Sequence, residues 1–164
     1  MIHIRAAQEA DLPRLLEIYN EIIINTTAVY DYAPHTLAMR QQWFKTKQEQ
    51  GFPVLVAELN GQIAGFASFG PFRAWEGFKH TVENSVYVAP EFRGKGIAKH
   101  LMPPLIEAAR ALQLHAIVAG IDADNQASIQ LHQYFGFVEV AHFKQVGKKF
   151  DRWLDLKFLE LILD

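Results

Sequence analysis

Apolar residues that repeat with period two in some stretches and with period 3.6 in others predict an α/β protein built on a mixed sheet. Three observations carry this. The two kinds of stretch follow one another in the order β α α β β β α β α β β. A hairpin dipeptide, Asn60-Gly61, joins two strand-like runs in the first half. In the second half a strand, a glycine turn, a helix and a strand form a βαβ unit, so those two strands lie parallel with a right-handed crossover. At 164 residues, half of them apolar, the chain suits one domain spanning residues 1–164 with a sizeable core.

The elements justify themselves in turn. "IHIRAA" alternates as a strand. Asp11 then offers a cap to a helix whose Leu12, Leu15, Leu16, Tyr19, Ile22 and Ile23 share a face. Thr36 caps a second, shorter helix running to about Glu49. "FPVLVAELNGQIAGFASFG" is two antiparallel strands about Asn60-Gly61, a pair that tolerates the positive φ of a type I′ turn. "TVENSVYV" is a strand, "GIAKHLMPPLIEAARALQL" a helix, "HAIVAGID" a strand and "NQASIQLHQYF" a helix. "FVEVAHFKQV" and "RWLDLKFLELIL" close the sheet. Pro103 and Pro104 fall inside a helix, where each removes a hydrogen bond, yet Ile97, Leu101, Leu105, Ala108 and Leu112 keep their period across them. One kinked helix is expected.

Composition excludes several functions. A formal net charge of −2 and no basic excess argue against a nucleic-acid surface. There is no cysteine, so there is neither a disulfide framework nor a thiolate metal site. The histidines show no metal-ligand spacing, and no metal is expected. No apolar run approaches the roughly 20 residues of a membrane span, and the first residues do not read as a signal peptide. A cytoplasmic protein with small-molecule partners and no membrane association is the expectation.

The segment "VYVAPEFRGKGIAKHL" narrows this further. Small residues and cations at the mouth of a helix suit an anion, because the first N–H groups of a helix have no intrahelical partner. A P-loop would need Ser or Thr after Lys95, where Gly96 stands. A dinucleotide fingerprint would need glycine at Lys99. What remains is Arg93, two residues, Gly96, one residue and Ala98. This resembles the pyrophosphate-binding motif of the GNAT superfamily of acyl-CoA N-acyltransferases, whose fold has the element order given above. The stretches "RAWEGFKHTVENSVYV" and "VGKKFDRWLDL" resemble its phosphinothricin and methionine sulfoximine N-acetyltransferase subgroup.

The resemblance implies acetyl-CoA as co-substrate, transfer to the α-amino group of a small amino acid or analogue, and a homodimer. It places the pyrophosphate on Arg93, Gly94, Lys95, Gly96, Ile97 and Ala98 and the pantetheine along Val86, Tyr87 and Val88. Asn125 holds pantetheine or substrate, and Tyr134 packs in the core or touches the coenzyme. Glu83 matches a subgroup glutamate that takes the amine's proton through water. His132 stands where many members carry a proton-donating tyrosine, and either donates a proton or only hydrogen-bonds within the site. Arg73, just ahead of Trp75, offers a planar fork for a substrate carboxylate. Thr27 and Tyr30 line the far wall, and Asn84 stands with Glu83 beside the substrate. Bulky apolar residues on both faces of "RWLDLKFLELIL" exceed what one sheet face of a small monomer needs, in line with the homodimer. Two other readings share the motif. One is an acetyltransferase for protein amino groups or polyamines, and the other is a non-catalytic acyl-CoA sensor.

Overall fold

A computed structural model describes residues 1–164. Seven strands form one sheet in the order β1-β2-β3-β4-β5-β7-β6. They are β1 (Ile2–Ala6), β2 (Val54–Leu59), β3 (Gln62–Pro71), β4 (Thr81–Val88), β5 (Ala116–Asp122), β6 (Val138–Lys149) and β7 (Arg152–Ile162). Four helices accompany them: α1 (Leu12–Asn25), α2 (Leu37–Gln50), α3 (Ile97–Ala111) and α4 (Gln126–Tyr134). The predicted mixed sheet is therefore present, with β4 and β5 its one parallel pair. The chain's last strand, β7, inserts between β5 and β6, so β6 forms the edge.

Local chemistry explains most boundaries. Asn60 and Gly61 both take positive φ, 54° and 75°, as the tight hairpin requires. The Thr36 hydroxyl accepts the Met39 N–H and caps α2, which ends at Gly51 in the left-handed conformation. Asp11 does not cap α1: its carboxylate accepts the Gln8 N–H at 2.7 Å and is held by the Arg5 guanidinium, and a 3₁₀ turn over Glu9–Asp11 leads into the helix. The second helix is not the shorter one, since α1 and α2 both have 14 residues. Helix α3 runs across Pro103 and Pro104 as one element.

Leu12, Leu15, Ile18, Ile22 and Ile23 of α1 are buried, as are Leu101, Leu105 and Ala109 of α3. With Val56, Phe66, Phe69, Val82 and Ile117 of the sheet they give the core its bulk. On the far edge Val138, Val140, Phe143, Trp153 and Ile162 remain exposed.

What positions the site is how β4 leaves its neighbour. Thr81, Val82 and Glu83 pair with Ala116, Ile117 and Val118, and there the pairing ends. Beyond that point β4 continues beside β3 alone, through Gly65↔Val88, while β5 continues beside β7, through Asp122↔Leu156. A cleft opens between two strands that began as partners. Gly65 fixes one side of it, because a Cβ there would lie 2.6 Å from the Tyr87 carbonyl oxygen and 3.0 Å from Ile97 Cγ2. Gly65→Ala is accordingly expected to destabilise the fold by about 1–3 kcal/mol, since backbone cannot retreat as a side chain can. Urea denaturation checks this.

Candidate active site

The cleft is the mouth of a cavity of about 1240 Å³. Its walls come from the diverging halves of β4 and β5, from the turn Arg93–Gly96 with the start of α3, from α4, and from the segment after α1. Every backbone N–H and C=O that β4 turns toward β5 beyond Glu83 has lost its strand partner and faces this space.

At one end the chain is shaped for phosphate. Gly94 and Gly96 hold φ of 76° and 79°, and Gly96 is the N-cap residue of the 15-residue helix α3. A Cβ on Gly94 would meet nothing, so the approach to its backbone is open. Arg93 lies beside this turn with its guanidinium 3.1 Å from Glu21. Lys95 holds its ammonium 5.1 Å from the centre of the ring of Phe92, which borders the cavity.

At the other end stands Glu83, half-buried, on the face of β4 that also carries Ser85 and Tyr87. Burial pushes its carboxyl above the usual carboxylate range, and the positive charge of Arg73 draws it partly back. The carboxylate lies against Gly120 of β5, where a Cβ would stand 2.8 Å from Oε1. Gly120 therefore gives Glu83 its room. A glycine inside an otherwise β-branched strand is the sequence signal for such an approach, and sequence reasoning passed over it.

On the opposite face of β4, Asn84 and His132 are buried at 7% and 4% exposure. Their side chains meet at 3.1 Å, Asn84 Nδ2 to His132 Nε2. His132 Nδ1 lies 2.7 Å from the Ser128 carbonyl oxygen, which can only accept. The ring is thus the Nδ1–H tautomer, donating to Ser128 and accepting from Asn84 through Nε2. Burial lowers its proton affinity as well. Both ring nitrogens are therefore hydrogen-bonded within the protein. Asn84 Oδ1 and Asp122 Oδ2 are buried without a partner, and both residues line the cavity.

Comparisons with known proteins agree with this architecture. Residues 13–137 match the model of the acetyltransferase (GNAT) family. The chain belongs to that family. An L-methionine sulfoximine/L-methionine sulfone acetyltransferase of Pseudomonas aeruginosa is 51% identical over 162 residues, covering 98% of this chain and 94% of its own length. A solved acetyltransferase structure from Salmonella typhimurium, with its cofactor acetyl-CoA, has a TM-score of 0.97 at 45% identity over 99% of this chain and 94% of that one. A structure from Brucella melitensis described as a ribosomal-protein-alanine N-acetyltransferase has a TM-score of 0.96 at 53% identity, over 98% and 99%. The protein is a GNAT acetyltransferase.

Set against this GNAT frame, the expected residues divide. Thr27, Glu83, Asn84, Val86, Tyr87, Val88, Arg93, Gly94, Gly96, Ile97, Ala98, Asn125, His132 and Tyr134 all border the cavity. Asn125 also caps α4, its Oδ1 accepting the Ser128 N–H at 3.2 Å. Tyr134 is not core: it is exposed, with the Lys99 ammonium 3.9 Å above its ring. Tyr30 is not in the wall; its ring fills the space over Gly147 and its hydroxyl donates to the Asp155 carbonyl oxygen. Arg73 and Trp75 sit exposed in the β3–β4 loop outside the cavity, with Arg73 stacked on Phe72 at 5.4 Å. An arginine next to a tryptophan in a loop looks like a clamp in sequence; Arg73 is exposed, and its positive charge acts on the Glu83 carboxyl. Lys47 of α2, which no motif marks, and Arg152 of β7, within "VGKKFDRWLDL", also line the cavity.

The positive φ of Gly96 gives the phosphate end a test with two readouts. A β-branched residue is strained there whatever the space, by roughly 1–2 kcal/mol. Gly96→Val is expected to weaken coenzyme A in calorimetry and, in addition, to lower the melting temperature.

Proposed function

We propose that this acetyltransferase acts on the α-amino group of a small amino acid or analogue, of the phosphinothricin, methionine sulfoximine or methionine sulfone type, with Glu83 as its base. The observation that carries the reading is the half-buried carboxylate at the blind end of the strand cleft, together with the name of the Pseudomonas aeruginosa relative. Acetyl-CoA, when bound, supplies a thioester whose acyl carbon a neutral amine attacks, a C–N bond replacing the C–S bond.

The residues of the chain do the rest. The turn Arg93–Gly96 and the first N–H groups of α3 would hold the pyrophosphate, and the unpaired edge of Val86 to Val88 the pantetheine. An α-ammonium group is mostly protonated near pH 7, so a proton must leave before attack. Glu83 takes it through an intervening water, and its raised proton affinity brings it nearer to that of the group it serves. His132 holds Asn84 in place beside Glu83. The exposed apolar edge of β6 and β7 supports a homodimer in the same reading.

A second reading follows the name of the Brucella melitensis structure: transfer to the N-terminal amine of a polypeptide. Such an acceptor has an α-amine but no free α-carboxylate. Thiol release measured with free amino acids, their amides and short peptides separates the two, and turnover of peptides alone would overturn the amino-acid reading.

Glu83→Gln keeps the shape and cannot accept a proton, so kcat is expected to fall by roughly 10²- to 10⁴-fold with coenzyme affinity preserved. Activity requires the carboxylate form. kcat/KM should therefore drop as pH falls through a limb lying above the ordinary carboxylate range, and Glu83→Gln should lack that limb. Arg73→Ala removes the positive charge that favours the carboxylate, so in that variant the limb should move to higher pH. A pH profile of all three proteins checks the sign.

Gly120→Ala is expected to change the melting temperature little, because the flexible end of Glu83 must give way and the Phe158 ring, 3.3 Å from the new Cβ, must shift by only a few tenths of an ångström. It should lower kcat by about 10²-fold through misplacement of the base. An unaltered kcat would mean that Glu83 need not lie against β5.

A further inference from the structure

The stretch "VGKKFDRWLDL" buries a charge. Lys149, the last residue of β6, is 4% exposed, although lysine is among the residues least often buried without a partner. Among the carboxylates only Asp31 acts on its charge, and no ion pair joins the two. The Phe150 ring lies 5.3 Å from the ammonium. Its hydrogen-bond partners are carbonyl oxygens: Nζ donates to Ile23 at 2.5 Å and to Val29 at 2.8 Å.

Those two carbonyls bracket one short segment. Helix α1 ends at Asn25, and Thr26 donates the last backbone N–H that bonds back into it, to the Ile22 oxygen. The Ile23 oxygen therefore has no helical donor, and it lies at the negative end of the helix. An ammonium suits that place. By holding Val29 as well, Lys149 draws the chain back immediately after the helix. Thr26, Thr27, Ala28 and Val29 all border the cavity.

Further contacts fasten the same stretch of chain to the same hairpin. The Tyr30 ring covers Gly147, where a Cβ would lie 2.6 Å from its Cδ2, and its hydroxyl donates to the Asp155 carbonyl oxygen at 2.9 Å. The Tyr32 hydroxyl donates to the Lys148 carbonyl oxygen. The hairpin turns at Phe150 and Asp151, both at positive φ, and its strands stay paired up to Lys149↔Arg152. Residues 26–30 belong to no helix or strand, so their position comes from what holds them. Burying an ammonium costs desolvation that an apolar side chain of the same length avoids, so stability alone does not account for a lysine here. It contributes a fixed geometry instead, because one ammonium reaches both oxygens only when the segment lies in one place.

We propose that Lys149 is a positioning residue of this acetyltransferase. Its ammonium ties the end of α1 to the hairpin of β6 and β7 and thereby sets the wall Thr26–Val29 against the cleft between β4 and β5. Lys149 is not itself part of the cavity wall and acts through that segment. This goes beyond the amino-acid reading and holds for whichever acceptor the enzyme uses.

The test compares the wild type with Lys149→Met by hydrogen exchange and by thiol release. In the folded variant the amides of residues 26–32 should exchange roughly 10- to 100-fold faster, while those of β2, β3 and α3 keep their wild-type rates. With whichever acceptor the wild type turns over, kcat/KM should fall by roughly 10- to 100-fold, and coenzyme A affinity in calorimetry should stay nearly unchanged. Faster exchange throughout the protein, or an unchanged kcat/KM in the folded variant, would reduce Lys149 to a structural residue and overturn the proposal. The chain has no cysteine, so Lys149→Cys carries a single thiol. Alkylating it in urea with 2-bromoethylamine, bromide leaving as the S–C bond forms, rebuilds an ammonium on a side chain of nearly the same length. After refolding this protein should recover most of the lost kcat/KM, and a folded product without recovery would equally overturn the role of the ammonium. If Lys149→Met does not fold, the wild type decides. As urea is raised, its residues 26–32 and its hairpin should open as one unit, and a segment that opens independently of the hairpin would sink the proposal. Turnover of peptides but of no free amino acid would overturn the amino-acid reading and leave the positioning role standing.

Discussion

Three residue pairs hold β4 to β5, and the fourth does not form. The rest of the structure follows from that missing pair. Two parallel strands that part leave unpaired backbone groups along both edges, and inside a protein such groups require partners. A ligand with its own amide groups can pair with the β4 edge where β5 has withdrawn. The crossover between the two strands brings the Gly94–Gly96 turn and the start of α3 to the open end of the same cleft. The helix end therefore meets the charged part of the ligand when the strand edge meets its chain.

The closed end of the cleft has a different electrostatic character. Glu83 is half-buried and lies against a glycine, so its proton affinity rises and its position is set by β5, not by its own rotamer alone. Asn84, the next residue, faces the other side of the sheet and is locked to His132 and through it to the carbonyl of Ser128 in α4. One strand thus carries a carboxylate toward one layer of helices and an amide toward the other. The alternation of a strand makes both possible within two residues.

Much of this was legible in the chain, for local reasons. The Asn60-Gly61 hairpin, the Thr36 cap and the positive φ at Gly94 and Gly96 are properties of short segments, and short segments report them. Asp11 was misread because an Asp before an apolar helix has two uses for its carboxylate. The arginine on the neighbouring strand, Arg5, drew it away from the helix. That Tyr30 and Trp75 lie outside the cavity wall was not legible, because a loop's composition does not give its direction. Lys47 carried no signal, being one lysine on a polar helix, and only packing gives it meaning.

The sequence by itself determined the periodicities, the turns and the spacing of Glu83, the glycine turn and His132. Through them it determined the family, because these depend on φ preferences and on the burial of apolar side chains in neighbouring residues. Only the tertiary structure decided which charges meet. It brought Lys47 to the cavity wall and the charge of Arg73 within reach of Glu83, it spent both nitrogens of His132 on hydrogen bonds, and it set Gly120 under Glu83. Those outcomes depend on contacts between residues far apart in the chain, such as Glu83 with Gly120 and Asn84 with His132. No local propensity encodes the distance between two elements that meet only when the sheet is assembled.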